Sequence, residues 1–282
     1  MAAAWTGIVL ARSEPADDRM ASRLPTFLHP LAGRPLAWHA VSALAALHPA
    51  PSRILLVSDR EVGPDPFLDV WEGIHVLERS GEELWSALEE ACGPDERFLL
   101  VDARAPLLAP GLQALLESPT ALFLADEAGG VAAACLDRAA ARRRLGAWRG
   151  MAALAEDAGD APRLVHPESA LVVRDRRALA RASELLRDRL LGRLMDAGVS
   201  FLLPHTSWVD MDVRIGRDTV VYPGVVLEGQ TTIGEETVVG PGCRIVDSWV
   251  GSGVELKGWN YLSHTSIRNR AILEPYARRG YD

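Results

Sequence analysis

The hexads Val209-Asp210-Met211-Asp212-Val213-Arg214, Ile215-Gly216-Arg217-Asp218-Thr219-Val220, Val221-Tyr222-Pro223-Gly224-Val225-Val226, Leu227-Glu228-Gly229-Gln230-Thr231-Thr232 and Ile233-Gly234-Glu235-Glu236-Thr237-Val238 follow one another without a break. The aliphatic position recurs six residues apart through Val239 and Ile245, then after a five-residue step at Val250, Leu256 and Leu262, and after another at Ile267. Small or β-branched residues stand four places on, at Thr219, Val225, Thr231, Thr237 and Cys243. Glycine often follows the aliphatic residue, as in Ile215-Gly216, Ile233-Gly234, Val239-Gly240 and Val250-Gly251. A period of six fits neither a helix nor a simple alternating strand; it marks a repeat architecture. Each unit supplies one short strand and a corner, with the aliphatic side chain pointing into a triangular prism and glycine or a small residue letting the corner turn. Three units close a coil, so the segment predicts about four coils of left-handed parallel β-helix stacked as a solenoid. The repeat specifies a fold and carries no chemistry of its own.

Upstream of the repeat the pattern is different, and it divides the chain into residues 1–204 and 205–282. Trp5–Leu10, Arg53–Ser58, Ile74–Leu77, Arg97–Val101 and Thr120–Ala125 read as buried strands. Amphipathic stretches separate them. Leu36–Leu47 reads as a helix with Pro35 at its first turn, and Ser80 with Glu83 forms a capping box for a second. Asp175–Ala197 reads as a long helix that Gly198 stops, and Ala139–Arg149 as one with a solvated arginine face. Gly129-Gly130 reads as a hairpin turn. Strands alternating with helices predict an α/β domain with a mainly parallel sheet.

Composition narrows the function classes. With 48% hydrophobic and 24% charged residues in 282, the chain has the make-up of a globular protein able to bury a core. A net charge of −8 argues against nucleic acid or an anionic membrane as partner. The apolar runs are far shorter than the ~20 residues a membrane span needs. Arg12, Glu14, Asp17 and Asp18 interrupt any signal-peptide pattern at the N-terminus, and a cytoplasmic location is expected. Cys92, Cys135 and Cys243 are scattered and odd in number, suggesting neither a disulfide framework nor a zinc site. Lys257 is the only lysine, which removes lysine-dependent chemistry from the first domain.

The run Leu24-Pro25-Thr26-Phe27-Leu28-His29-Pro30-Leu31-Ala32-Gly33-Arg34-Pro35-Leu36 resembles a signature of the bifunctional UDP-N-acetylglucosamine pyrophosphorylase/glucosamine-1-phosphate N-acetyltransferase family. There a glycine-rich loop, L-A-A-G-x-G-T-R-M, precedes L-P-K-x-L-H-P-L-A-G-x-P. Leu194–Val199 with Trp208-Val209-Asp210 is similar to that family's passage from helix to prism. The resemblance implies a nucleotidyltransferase-like, Rossmann-like domain followed by a short left-handed β-helix. It also implies attack of a sugar-1-phosphate on a nucleoside triphosphate with release of pyrophosphate. Such transfer needs backbone N–H groups around the phosphates, a cation at the α-phosphate and oxygen ligands for Mg²⁺.

The residues depart from each requirement. Ala11 to Arg19 contains no glycine but holds Glu14, Pro15, Asp17 and Asp18. Thr26 stands where the family has its lysine. The family's G-D-x-P-L corresponds to Ala103-Arg104-Ala105-Pro106-Leu107, with Asp102 two residues before the substituted position. Its V-N-x-R corresponds to Val173-Arg174-Asp175-Arg176, so both metal-ligand positions hold arginine, which cannot coordinate Mg²⁺. Of its uridine-reading run only Gly81 remains. The expectation is therefore that Arg12, Arg19, Thr26, Gly81, Asp102, Arg104 and Arg174 mark a relic or anion-binding pocket, with no catalytic residue and no metal.

The family's acetyl transfer takes place late in a long prism, and Ile272–Arg278 is similar to an early coil. His264 reads as a solvated corner, and Trp249, Trp259 and Tyr261 as packing residues or a stacking platform. The expectation is a non-catalytic binding, scaffold or regulatory subunit without a cofactor, trimeric through its prism. Its partners would be a nucleotide or nucleotide-sugar ligand and an active paralogue. The alternative is an active sugar-1-phosphate nucleotidyltransferase with an arginine-rich phosphate site, and with Mg²⁺ only in that case.

Overall fold

The computed structural model describes residues 5–11, 19–58, 74–78, 85–86, 89, 97–118, 122–145, 151–156 and 159–281. The chain forms two compact units, one of Met1–Pro30 and Pro35–Ala182, the other of Leu31–Arg34 and Ser183–Asp282. No helix among the described residues is long and apolar enough to cross a membrane.

The first unit is built on a seven-stranded sheet: β1 (Trp5–Ala11), β2 (Arg53–Ser58), β3 (Ile74–Glu78), β4 (Arg97–Asp102), β5 (Phe123–Ala125), β6 (Val131–Leu136) and β7 (Arg163–Val165), in the order β3-β2-β1-β4-β6-β5-β7. β3, β2, β1 and β4 run parallel, and β6 is antiparallel to both β4 and β5. The 3-2-1-4 order is that of a Rossmann-like sheet. Every residue of the central strand β1 is buried, which explains its continuous apolar run. The Gly129 turn joins β5 to β6, with Asp126 accepting the Gly130 N–H at 2.7 Å. Helices α1 (Leu36–Ala45), α2 (Ala109–Glu117), α3 (Arg138–Leu145) and α4 (Met151–Glu156) belong to this unit. The capping box Ser80–Glu83 lies outside the described residues.

Helix α5 (Arg176–Asp196) divides between the units at Ala182/Ser183. Asp175 caps it, accepting the Ala178 N–H at 2.8 Å.

The second unit is a left-handed parallel β-helix, its three sheets holding five, five and four short strands. Its first strand is Ser200–Phe201, eight residues before Val209 where the period becomes legible, because the 3-10 turn Pro204–Thr206 lengthens the first corner. Aliphatic residues stack coil on coil: Val209 on Leu227, Leu227 on Ile245, Ile245 on Leu262. The first two spacings are eighteen residues and the third is seventeen, which is how the five-residue step is absorbed. Leu227, Val239, Ile245, Val250, Leu256 and Leu262 have no solvent exposure.

The glycines work differently from the expectation. Corners turn through left-handed residues that are often not glycine, including Asp218, Glu236, Asp247, Trp259 and Arg270. Gly216, Gly234, Gly240 and Gly251 lie outside that conformation. A Cβ on Gly216 would meet Glu235 N at 2.6 Å, and one on Gly234 would meet Ser252 N at 2.5 Å. They are small because consecutive coils approach closely there, so the repeat's glycine is a stacking requirement.

Candidate functional site

β4 ends at Asp102, whose carboxylate is buried and must find donors. Arg104 supplies three. Its backbone N–H reaches Asp102 Oδ1 at 2.8 Å, its Nε the same oxygen at 3.0 Å, and its Nη2 reaches Oδ2 at 2.8 Å. Both side chains are at most 5% exposed. The turn after the strand permits this: Ala103 N donates to Leu10 O, and Ala105 N to Asp102 O. The two-residue offset that separates Asp102 from the family's aspartate position is the offset that lets Arg104 fold back onto it.

Backbone pairing gathers two more of the expected residues. Arg104 O accepts from Val173 N at 2.9 Å, and Arg174 O accepts from Arg19 N at 2.8 Å. The segments carrying Arg19, Arg104 and Arg174 are therefore neighbours. Their side chains have separate fates. Arg104 is buried on Asp102, Arg174 is half-buried, and Arg19 is 71% exposed with Nη2 3.6 Å from Asp175 Oδ2. The Ala178 N–H, and then the Arg19 charge, hold the Asp175 carboxyl below its ordinary range. Thr26 is buried at the start of the 3-10 turn Thr26–Leu28. Arg12 and Gly81 lie outside the described residues.

These groups do not fit Mg²⁺. The carboxylate nearest the expected position is neutralised by a guanidinium, and the two aligned positions are cationic. Among the described residues, no three His, Cys, Asp or Glu side chains gather as a metal set.

The second unit holds a constellation that the sequence reading missed. Within it, Ala32 O accepts the Met211 N–H at 3.0 Å, and Arg34 Nε donates to Asp212 Oδ2 at 2.7 Å. Gly33 has φ +78° and lies so close to Asp210 that a Cβ would meet its Oδ2 at 2.8 Å. Asp210 in turn accepts the Gly229 N–H at 3.0 Å and Trp208 Nε1 at 3.1 Å. Burial raises its carboxyl above the ordinary range, while those hydrogen bonds pull the other way. Part of the Leu24–Leu36 signature thus packs on the prism's first coil. The only sequence signal was the pair of motifs, because no periodicity links residues 178 apart.

Farther along the prism, His264 Nε2 stands 3.9 Å from Asp247 Oδ2 with 55% of its side chain exposed. Trp259 covers Gly242, and the Arg244 and Arg278 guanidiniums sit 5.9 and 5.2 Å from the Tyr261 ring centre. These aromatics have packing partners within their own prism.

Residues 212–246 match the family model described as bacterial transferase hexapeptide (six repeats). The chain is similar to the bifunctional protein GlmU of Geobacillus sp. (strain WCH70), with 40% identity over 111 residues, 39% of this chain and 24% of that protein. It is 40% identical over 108 residues to the GlmU of Limosilactobacillus reuteri (strain DSM 20016), 38% of this chain and 24% of the relative. The matched part thus spans about a quarter of the length of these relatives. A crystal structure of 4-diphosphocytidyl-2C-methyl-D-erythritol synthase aligns with a TM-score of 0.49 and 14% identity, over 65% of this chain and 99% of that one. Through its hexapeptide region, the chain is similar to the bifunctional GlmU proteins.

Proposed function

We propose that the protein is a nucleotidyltransferase-like subunit that has given up the transfer step and acts by binding, as a scaffold or as a regulator. The buried Asp102–Arg104 pair carries this reading. A buried acid neutralised by a bidentate guanidinium is a poor ligand for a divalent cation, and the second aligned position, Arg174, adds positive charge. The ligand would be a nucleotide or nucleotide-sugar, and the partner an active paralogue. Further copies of the chain would join through the prism as a trimer; exposed Tyr222, Trp249 and Ile272 support such contacts. A monomer by light scattering would remove the trimer.

The test is pyrophosphate release by the purified chain with a panel of nucleoside triphosphates and sugar-1-phosphates, with and without Mg²⁺. No release from any pair is expected. Turnover of about 1 s⁻¹ or faster overturns the proposal. Mg²⁺-independent turnover would favour the second reading, an active transferase with arginines at the phosphates. The convergence of the Arg19, Arg104 and Arg174 backbones is the observation on its side.

A further inference from the structure

The three sheets of the prism end on Ser266–Ile267, Ile272–Leu273 and Arg278–Gly280, each strand paired on one side only among the described residues. An open strand edge is a template for another chain, and proteins blunt such edges with charges set where a neighbour would pack. The opposite end of the prism is covered by helix α5, whose Leu191 and Leu194 pack on the prism core.

Two stacking rules are broken in the last described coil, each by an arginine. The first concerns the inward column. Val209, Leu227, Ile245 and Leu262 lie on one another, and the next residue in that column is Arg279. It is exposed, and its Nη1 donates to Arg278 O at 3.2 Å. A coil laid over it would close a guanidinium into an aliphatic interior, where a charge is costly unless paired. The second rule concerns the close approach of coils. Gly216, Gly234 and Gly251 form a column in which a Cβ would run into the coil that follows; on Gly251 it would meet Asn269 N at 2.6 Å. The next member of this column is Arg268, the residue after Ile267, which pairs with Val250. By the geometry of its column, the Arg268 Cβ points where a further coil would pack. The coil is also cationic: between His264 and Gly280 it carries Arg268, Arg270, Arg278 and Arg279 against a single acid, Glu274. That acid already accepts from Lys257 Nζ at 2.7 Å. Two copies meeting through this end would present the same patch to each other, arginine against arginine.

We infer that Arg268 and Arg279 together form a stop that keeps a second copy of this chain from stacking on the far end of the prism. Inward and close-approach positions are the two places where a stacked coil tolerates an arginine least. Lateral contacts use the prism's flanks, so the stop works alike in a single chain and in a laterally joined assembly.

Sedimentation equilibrium of the full chain tests it. Arg268→Gly combined with Arg279→Leu restores both stacking rules, and this double variant should show twice the wild-type mass, joined far end to far end by a two-fold contact. Growth should stop at the doubling, because α5 covers the other end. Arg279→Leu alone should associate in the same way but more weakly. Arg270→Gln removes a positive charge at an exposed left-handed corner, touches neither rule, and should keep the wild-type mass. A double variant that folds, by circular dichroism and a cooperative melt, yet keeps the wild-type mass overturns the inference. Doubling by Arg270→Gln overturns it too, since net charge alone would then be the barrier, and so does growth past the doubling, the mark of nonspecific association. If the double variant does not fold, Arg279→Leu decides: a doubled mass supports the stop, and the wild-type mass overturns it.

Discussion

Arg104 grips Asp102 with two side-chain nitrogens, Nε on Oδ1 at 3.0 Å and Nη2 on Oδ2 at 2.8 Å, in a site almost closed to solvent. Two charges taken out of water are costly, and their attraction offsets that cost only while both are present. Arg104→Ala should therefore destabilise the protein by about 3–5 kcal/mol, because it strands a buried carboxylate. The apolar double variant Asp102→Leu with Arg104→Met should lose far less. Urea unfolding midpoints decide between them. If Arg104→Ala is nearly neutral, water already reaches Asp102, and the case for a sealed, metal-excluding pair collapses.

Gly33 against Asp210 gives a second prediction. The left-handed backbone at Gly33 costs a residue with a side chain about 1–2 kcal/mol. A methyl group there would also run into Asp210 Oδ2. Gly33→Ala should thus cost about 2 kcal/mol or more. Combining it with Asp210→Ala should recover the steric part only, giving a coupling of about 0.5–3 kcal/mol in a double-mutant cycle. Strict additivity would show that the two residues do not press on each other.

Asp210 also sets a pH dependence. Burial raises its folded-state pKa above the ordinary 3.8. An acid raised on folding contributes stability that is fully present below the unfolded value and lost as pH rises through the folded one. The affected window therefore opens near pH 3.8 and extends upward to the raised value. Carboxyl NMR should show Asp210 titrating above 3.8, and Asp210→Asn should flatten the stability profile in that window. Titration at or below the ordinary value would mean that the Gly229 and Trp208 hydrogen bonds outweigh desolvation.

The prism was legible because its period is local: each aliphatic residue declares its inward direction within six positions, and the coil register follows. The strands of the α/β unit were legible for a similar reason, since Trp5–Ala11 and Arg97–Asp102 are buried on both faces and read as unbroken apolar runs. The sites were not. Nothing in the order Asp102-Ala103-Arg104 says that the guanidinium turns back rather than outward; that depends on a turn fixed by Leu10 and on Val173 approaching from far along the chain. The role of Gly216 and Gly234 was hidden too. Turn glycines and stacking glycines look the same in sequence, and only the distance to the next coil separates them.

The inner threonines give the last prediction. Thr237 Oγ1 donates to Gly251 O at 2.9 Å and accepts the Val254 N–H at 3.3 Å, while its own N–H reaches Thr219 Oγ1 at 3.3 Å. The hydroxyls thus form a ladder between coils at a corner with no solvent exposure. Val225 occupies the same repeat position, so shape alone does not require threonine. Thr237→Val should nevertheless cost about 1–3 kcal/mol, because it leaves the buried Val254 N–H without its acceptor. Thr237→Ser should keep most of the stability, since it retains the oxygen and loses one methyl. Denaturant midpoints for the two variants settle the matter: equal losses would assign the corner to methyl packing, whereas a loss confined to Thr237→Val assigns it to the hydroxyl ladder.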